Sequence, residues 1–218
     1  MKKIILCISV ILIALSAYSQ QKVTKFLGIP IDGYKMDMIR KLENKGFVYS
    51  QRDECLRGEF NGREVSLHVV TNNNKVYRIA IIDANWQSET DIKIRFNKLC
   101  SQFENNTKYM KPLLGADDYT IADDVDISYE MSVNNKRFEA SYYQAGSKEE
   151  LAVEFGKFKD ELQEQIVDTT KVAMDFILKM YDSISKRIVW FMIDEQYGKY
   201  KILMFYDNEL NHANGEDL

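Results

Sequence analysis

The sequence predicts an α+β protein: a largely antiparallel sheet of about eight strands in hairpins, with about four helices packed on it. Three observations predict it. Short turn signals, above all Asn61-Gly62 and Asn134-Asn135, separate runs in which apolar and polar residues alternate. Other stretches repeat their apolar residues at steps of three and four, the helical period. Strand-like runs outnumber helical ones and adjoin one another, so strands are expected to pair with their sequence neighbours.

The chain begins Met1-Lys2-Lys3, continues with the apolar run Ile4 to Leu15, and then reads Ser16-Ala17-Tyr18-Ser19-Gln20. A basic start, an apolar run and the small residues Ala17 and Ser19 make up a secretory signal peptide. Cleavage is expected between Ser19 and Gln20, which removes residues 1–19. The run is too short to cross a bilayer core of ~30 Å as a helix. Cys7 lies inside it rather than at the cleavage site, so no lipid anchor is expected. An exported protein follows, periplasmic or secreted. Residues 20–218 read as a single α+β domain, with 26–106 and 107–218 as a finer division into two sub-halves. Two prolines and no Ser/Gly-rich stretch leave no linker between them.

Residues 26–31 are expected to be extended, because the residue before Pro30 is pushed away from helix. Asp32 is placed to cap a helix from Tyr34 to Lys45, with Met38, Ile39 and Leu42 inward and Gly46 as its stop. A short strand from Phe47 to Ser50 follows. The Asn61-Gly62 turn sets a register pairing Phe60 with Arg63, Gly58 with Val65, Leu56 with Leu67 and Cys55 with His68. Another strand runs from Val76 to Asp83. Ser88 and Asp91 start a helix reaching Glu104, striped by Ile92, Phe96, Leu99, Cys100 and Phe103. Residues 108–126 read as irregular and acidic. The Asn134-Asn135 turn is expected to pair Ile127–Met131 with Phe138–Tyr142. Ser147 and Glu150 begin a helical region from Leu151 to Ile184, broken near Asp168-Thr169-Thr170 into two helices. The last hairpin joins Arg187–Ile193 to Lys199–Tyr206 through Tyr197-Gly198, and a polar tail follows.

The stretches Phe26-Leu27-Gly28-Ile29-Pro30-Ile31-Asp32-Gly33, Gly198-Lys199-Tyr200, Phe205-Tyr206-Asp207-Asn208 and Asn214-Gly215-Glu216-Asp217-Leu218 resemble a group of exported proteins of Gram-negative gut anaerobes. That resemblance implies export and a shared fold, and transfers no site residue. In element order alone, the chain is similar to the helix-plus-sheet modules of the β-lactamase inhibitor protein and of BamE-type envelope lipoproteins. Those modules bind and scaffold rather than catalyse. The lipidated cysteine of the second group is missing here.

The chemistry the residues offer is sparse. The formal charge of −4 argues against nucleic acid, whose binders concentrate positive charge. No segment after the signal is long and apolar enough to span a membrane. Cys55 opposite His68 is the sharpest enzymatic arrangement, but no third group or oxyanion site accompanies it. Cys55 and Cys100 form a candidate thiol pair in an oxidising compartment, although the pattern sends them to opposite faces. Asp117, Asp118, Asp123, Asp124 and Asp126 fail the calcium-loop template, because the position that needs glycine holds Tyr129. With only His68 and His212, no zinc cluster is expected. Gly156-Lys157 and Gly198-Lys199 lack the spacing and hydroxyl of a phosphate loop, so no cofactor is implied. The triplets Asn105-Asn106-Thr107, Asp168-Thr169-Thr170 and Asp182-Ser183-Ile184 match glycosylation patterns that three residues meet by chance.

The last hairpin is apolar on both faces, and such strands are either covered on both sides or present one side to a partner. Trp190, Phe191, Phe205 and Tyr206 are its candidate binding residues. The expected function is therefore an exported, non-enzymatic binding or scaffold protein that meets another envelope or secreted macromolecule through its sheet. The alternative is an envelope hydrolase or transferase with an unrecognised site. Mature protein from the native host should begin at Gln20 or within a few residues of it on N-terminal sequencing. Cytosolic protein retaining Met1 overturns the export reading.

Overall fold

Strand alternation decides this architecture, because it sorts every second residue to the same side of one large sheet. A computed structural model describes residues 23–112, 118–145 and 184–212, together with Met174, Leu178, Tyr181 and Asp182. The elements are β1 (Lys25–Phe26), β2 (Ile29–Pro30), α1 (Lys35–Glu43), β3 (Val48–Ser50), β4 (Cys55–Phe60), β5 (Arg63–Asn72) and β6 (Lys75–Asp83). They continue with α2 (Glu89–Glu104), β7 (Tyr109–Met110), α3 (Ile127–Ser132), β8 (Glu139–Gln144), β9 (Arg187–Gln196), β10 (Lys199–Asn208) and a 3₁₀ turn at Glu209–Asn211. The fold is thus mixed helix and sheet, with an antiparallel sheet of 8 strands in the order β3-β4-β5-β6-β10-β9-β8-β7. Two meanders, each preceded by a helix, meet where β6 pairs with β10.

The turns explain the meanders. Asn61-Gly62, Asn73-Asn74 and Tyr197-Gly198 all have both residues at positive φ, the geometry that closes a two-residue hairpin. The first sets the expected register, with Phe60 opposite Arg63, Gly58 opposite Val65 and Leu56 opposite Leu67. Gly58 also has to be glycine for space: a Cβ there would lie 2.5 Å from the Phe47 ring.

One side of the sheet carries the core. A single transverse row of side chains runs Leu56, Leu67, Ile81, Met204, Phe191, Ala140 across six strands, and every member is buried. The stripe Met38, Ile39 and Leu42 of α1 and the stripe Ile92, Phe96, Leu99, Cys100 and Phe103 of α2 are buried in the same core. Aromatic rings dominate the α2 contact. Phe103 stacks on Tyr142 at 4.8 Å, and Phe191 meets Phe96 edge-on at 5.1 Å. Ser88 caps α2 as expected: its hydroxyl accepts from the Asp91 amide and donates to the Asp91 carboxylate at 2.6 Å.

Several expectations are corrected. Three helices are delimited among the described residues rather than about four, and a two-stranded ribbon, β1–β2, forms a sheet of its own beside the large one. Ile127–Ser132 is a helix, not the first arm of a hairpin, so Asn134-Asn135 does not join two strands. Asp126 caps it through the Tyr129 amide, and Ile127 and Met131 share a face at helical spacing as well as at strand spacing. Residues 139–144 pair with β9 and β7 instead. The chain does not run extended through 26–31; it turns back at Leu27-Gly28, which lets both Phe26 and Ile29 enter the core. Asp32 does not cap α1. Tyr34 is the cap position without a side-chain bond, and the Asp32 carboxylate accepts from the Gly33 amide and from Asn211. The capping pair Ser147/Glu150 and the expected helix break near 168–170 lie outside the described residues, as does the signal peptide with Ser19 and Gln20. Met174, Leu178, Tyr181, Asp182, Ile184 and Ser185 are helical.

Phe191→Ala should lower stability by about 3–5 kcal/mol in urea unfolding, the cost of a cavity at a packed aromatic site. Phe205→Ala, on the other side of the same hairpin, should cost clearly less. Equal losses would contradict a one-sided core.

Candidate functional site

The residues between the core positions form the opposite side of the sheet, and their order follows from the same register. The central row is His68, Ala80, Phe205, Trp190, Ser141. Beside it runs Ser66, Ile82, Leu203, Met192, Glu139, and on its other flank Val70, Arg78, Asp207, Ile188, Tyr143. Ile82, Leu203, Met192, Trp190, Phe205 and Ile188 are all half-buried here, in contrast to the fully buried core side. Met174 and Leu178, by comparison, are exposed helical residues. Tyr181 reaches this side through an edge-on contact with Tyr143 at 6.0 Å.

Of the four candidate binding residues, the structure brings two together here and withdraws two. Trp190 and Phe205 stack at 4.3 Å on the half-buried side. Phe191 and Tyr206 are their strand neighbours and therefore point into the core, where they are 0% and 5% exposed. Burial pushes the Tyr206 phenol well above its ordinary pKa, so it stays protonated.

A charged residue missed in the sequence holds this face in shape. Arg78 makes a bidentate pair with Asp207, Nε–Oδ1 2.6 Å and Nη2–Oδ2 2.7 Å. The indole N–H of Trp190 donates to the same carboxylate at 2.9 Å, and the guanidinium lies over the Phe205 ring at 4.9 Å. Hydrogen bonding to Asp207 raises the Arg78 pKa further. The signal was a lone arginine inside the apolar run Val76–Ile82, readable only with its cross-strand partner known. At the far end, Lys201 covers the Trp86 ring at 4.1 Å, while Arg137 pairs with Glu139 at 3.0 Å and touches the Met192 sulfur at 3.6 Å. The face therefore has an apolar, aromatic middle and a charged margin.

The other candidates do not assemble into a reactive site. The β4–β5 ladder ends at Leu56–Leu67, and Cys55 pairs instead with Ser50 of β3. Burial, with the Lys35 charge adding to it, lowers the His68 pKa and keeps the ring neutral. His68 has no hydrogen-bond partner among the described residues to orient it. Cys55 and Cys100 are both free and buried. Cys100 belongs to the core under α2, where burial pushes its thiol up to about 11, far from a reactive thiolate. Asp117 lies outside the described residues. Asp118 accepts from the Thr120 amide, Asp126 caps α3, and the Asp123 carbonyl receives Lys93. Among the described residues no cluster of His, Cys, Asp or Glu is arranged to hold a metal ion, and no helix is long and apolar enough to cross a membrane.

A cavity of about 730 Å³ opens on the helix-covered side, between the β1–β2 ribbon, the end of α2 and the sheet. Its described lining contains lysine, arginine, amide, tyrosine and apolar side chains, and no carboxylate, histidine, cysteine or hydroxyl nucleophile. Comparison with family models, curated proteins and solved structures found no match.

Asp207→Asn should cost about 2–4 kcal/mol, since it removes the charge partner of Arg78 and weakens the acceptor of Trp190. It should also shift Trp fluorescence, because Trp190 is one of only 2 tryptophans. An unchanged spectrum with unchanged stability would contradict the role of Asp207 as the hub of this face.

Proposed function

We propose that the protein is an exported, non-catalytic binding or scaffold protein that engages another envelope or secreted macromolecule through the half-buried face of its sheet. One observation carries this reading. The central strands are fully buried on one side, yet on the other they present Ile82, Leu203, Met192, Trp190 and Phe205 only half-buried. Contiguous apolar surface of this kind on a folded protein marks an interaction site. Its composition suits one: an indole and a phenyl ring as anchors, a methionine that adapts its shape, and an arginine held flat by Asp207, inside a charged margin. Asp207 pre-orders Arg78 and Trp190, so little side-chain freedom is left to lose on binding. The signal-like start, Met1 to Gln20, supports an encounter outside the cytoplasm.

The triple variant Ile82→Ser/Met192→Ser/Leu203→Ser should fold with unchanged circular dichroism. Proteins that the wild type retains from envelope extracts, identified by mass spectrometry, should be lost from it at least tenfold. A variant that retains the same proteins equally well would overturn the sheet-face reading. Turnover of a substrate by the purified protein would favour an envelope enzyme instead.

A further inference from the structure

The cavity on the helix-covered side is separate from the sheet face and is built from different parts. Its floor is apolar and aromatic: Leu99 and Phe103 from α2, and Met204 and Tyr206 from β10. Its volume of about 730 Å³ falls in the range of small-molecule sites. The β1–β2 ribbon forms one wall, and the Gln144 side chain fastens it there as a third strand would. Its side-chain carbonyl accepts from the Lys25 amide at 2.7 Å and its N–H donates to the Lys25 carbonyl at 3.0 Å. At the rim, Asn61 and Gln102 bond to one another through their side-chain amides at 2.8 Å and 3.3 Å. These three amides are spent on the walls of the cavity rather than offered to its contents. Leu27, at the tip of the ribbon, lines the cavity and is 40% exposed, so a bound molecule can cover it.

Charge does not set the ligand. Of the cations in the described lining, Lys25 and Arg187 have partners of their own, and Lys108 is exposed to solvent. The polar feature of the interior is a pair of phenols. Tyr206 is buried and protonated, and its hydroxyl meets that of Tyr109, which is also in the lining. The Tyr109 oxygen already accepts from the Gln144 N–H at 3.5 Å. Two phenols bring two O–H hydrogens, and a bond between them consumes only one. No described residue accepts the other. A molecule that covers the pair and shuts out water must therefore bring an acceptor. Without one it buries an unpaired O–H, which is costly.

We propose that this cavity binds one small uncharged molecule, its apolar body on Leu99, Phe103, Met204 and Leu27 and a single carbonyl or ether oxygen toward Tyr109 and Tyr206. Aryl ketones, esters and lactones have this chemistry. The apolar floor supplies most of the affinity. The phenol pair supplies the selection, because a hydrocarbon of the same shape leaves the O–H unpaired. The inference does not rest on the sheet-face function and survives its failure.

Fluorescence titration with prodan, an uncharged naphthyl ketone whose emission moves to the blue out of water, tests it. The wild type should bind one equivalent. As competitors, 2-acetylnaphthalene and 2-ethylnaphthalene differ in the carbonyl oxygen, and the ketone should displace prodan at the lower concentration. Tyr109→Phe/Tyr206→Phe removes both hydroxyls and no carbon, and it should shift the ratio of the two affinities toward the hydrocarbon about fivefold. Gln102→Trp, at an exposed position of α2, places an indole at the rim and should abolish prodan binding with unchanged circular dichroism. The sheet-face variant Ile82→Ser/Met192→Ser/Leu203→Ser should bind prodan as the wild type does. No bound equivalent, an unchanged ratio in Tyr109→Phe/Tyr206→Phe, undiminished binding in Gln102→Trp, or loss of binding in the sheet-face variant would each overturn the proposal.

Discussion

The pairing of β6 with β10 is the constraint from which the rest of this structure follows. These strands are separated by more than a hundred residues, and through them the two meanders join into one sheet. Their register decides which side chains face the helices. With Ile81 opposite Met204 and Ile79 opposite Tyr206, the core row continues without a break from β4 to β8. A slip by one residue would turn Met204 and Tyr206 outward and bring Phe205 and Asp207 under α2. Burying that carboxylate away from Arg78 would be costly. Arg78 stands directly opposite Asp207 in the observed register and binds it bidentately, so the ion pair opposes the slip from one side as the aromatic core opposes it from the other.

The same interaction reaches beyond the two strands. Trp190 of β9 donates to the Asp207 carboxylate, and the Thr24 hydroxyl donates to the Asp207 carbonyl. Next in sequence, Asn208 donates to the Ile31 carbonyl at 2.7 Å. Two adjacent residues at the end of β10 therefore hold the N-terminal ribbon, the central strands and the aromatic pair Trp190–Phe205 in one arrangement. These contacts tie the half-buried face together, and the ribbon that walls the cavity is anchored at its root while the Gln144 side chain fastens its side. One short segment thus supports the half-buried face and the wall of the cavity, on opposite sides of one sheet.

The division of labour between the two sides has a simple origin. A helix stripe covers only a limited width of sheet, and α1 and α2 both lie over the same side. Their apolar residues are used up there. The last hairpin nevertheless keeps the unbroken apolar runs Ile188–Ile193 and Ile202–Tyr206, so the surplus appears on the other side as Ile188, Trp190, Met192, Leu203 and Phe205. The catalytic alternatives lose ground on geometry. Cys55 and His68 fall beyond the end of their ladder, and Cys100 lies with a suppressed thiol beneath α2.

By itself the sequence determined what depends on neighbours within a few residues. Asn61-Gly62 specified a turn and therefore a register; Ser88 and Asp91 specified a helix start; the stripes of α1 and α2 specified their buried sides. It failed where two periods coincide or where a distant group intervenes. Ile127 and Met131 fit a strand and a helix equally, and the Asp126 cap decided for helix. Leu27-Gly28 carried no conventional turn signal, and burial of Phe26 and Ile29 decided for a turn. Alternation showed that Trp190 and Phe191 face opposite ways, but only the position of α2 determined which one meets the core. Arg78, Asp207 and the cavity were invisible for the same reason. Their partners are brought together by the β6–β10 pairing across a long loop, and local sequence holds no information about which distant strand closes it.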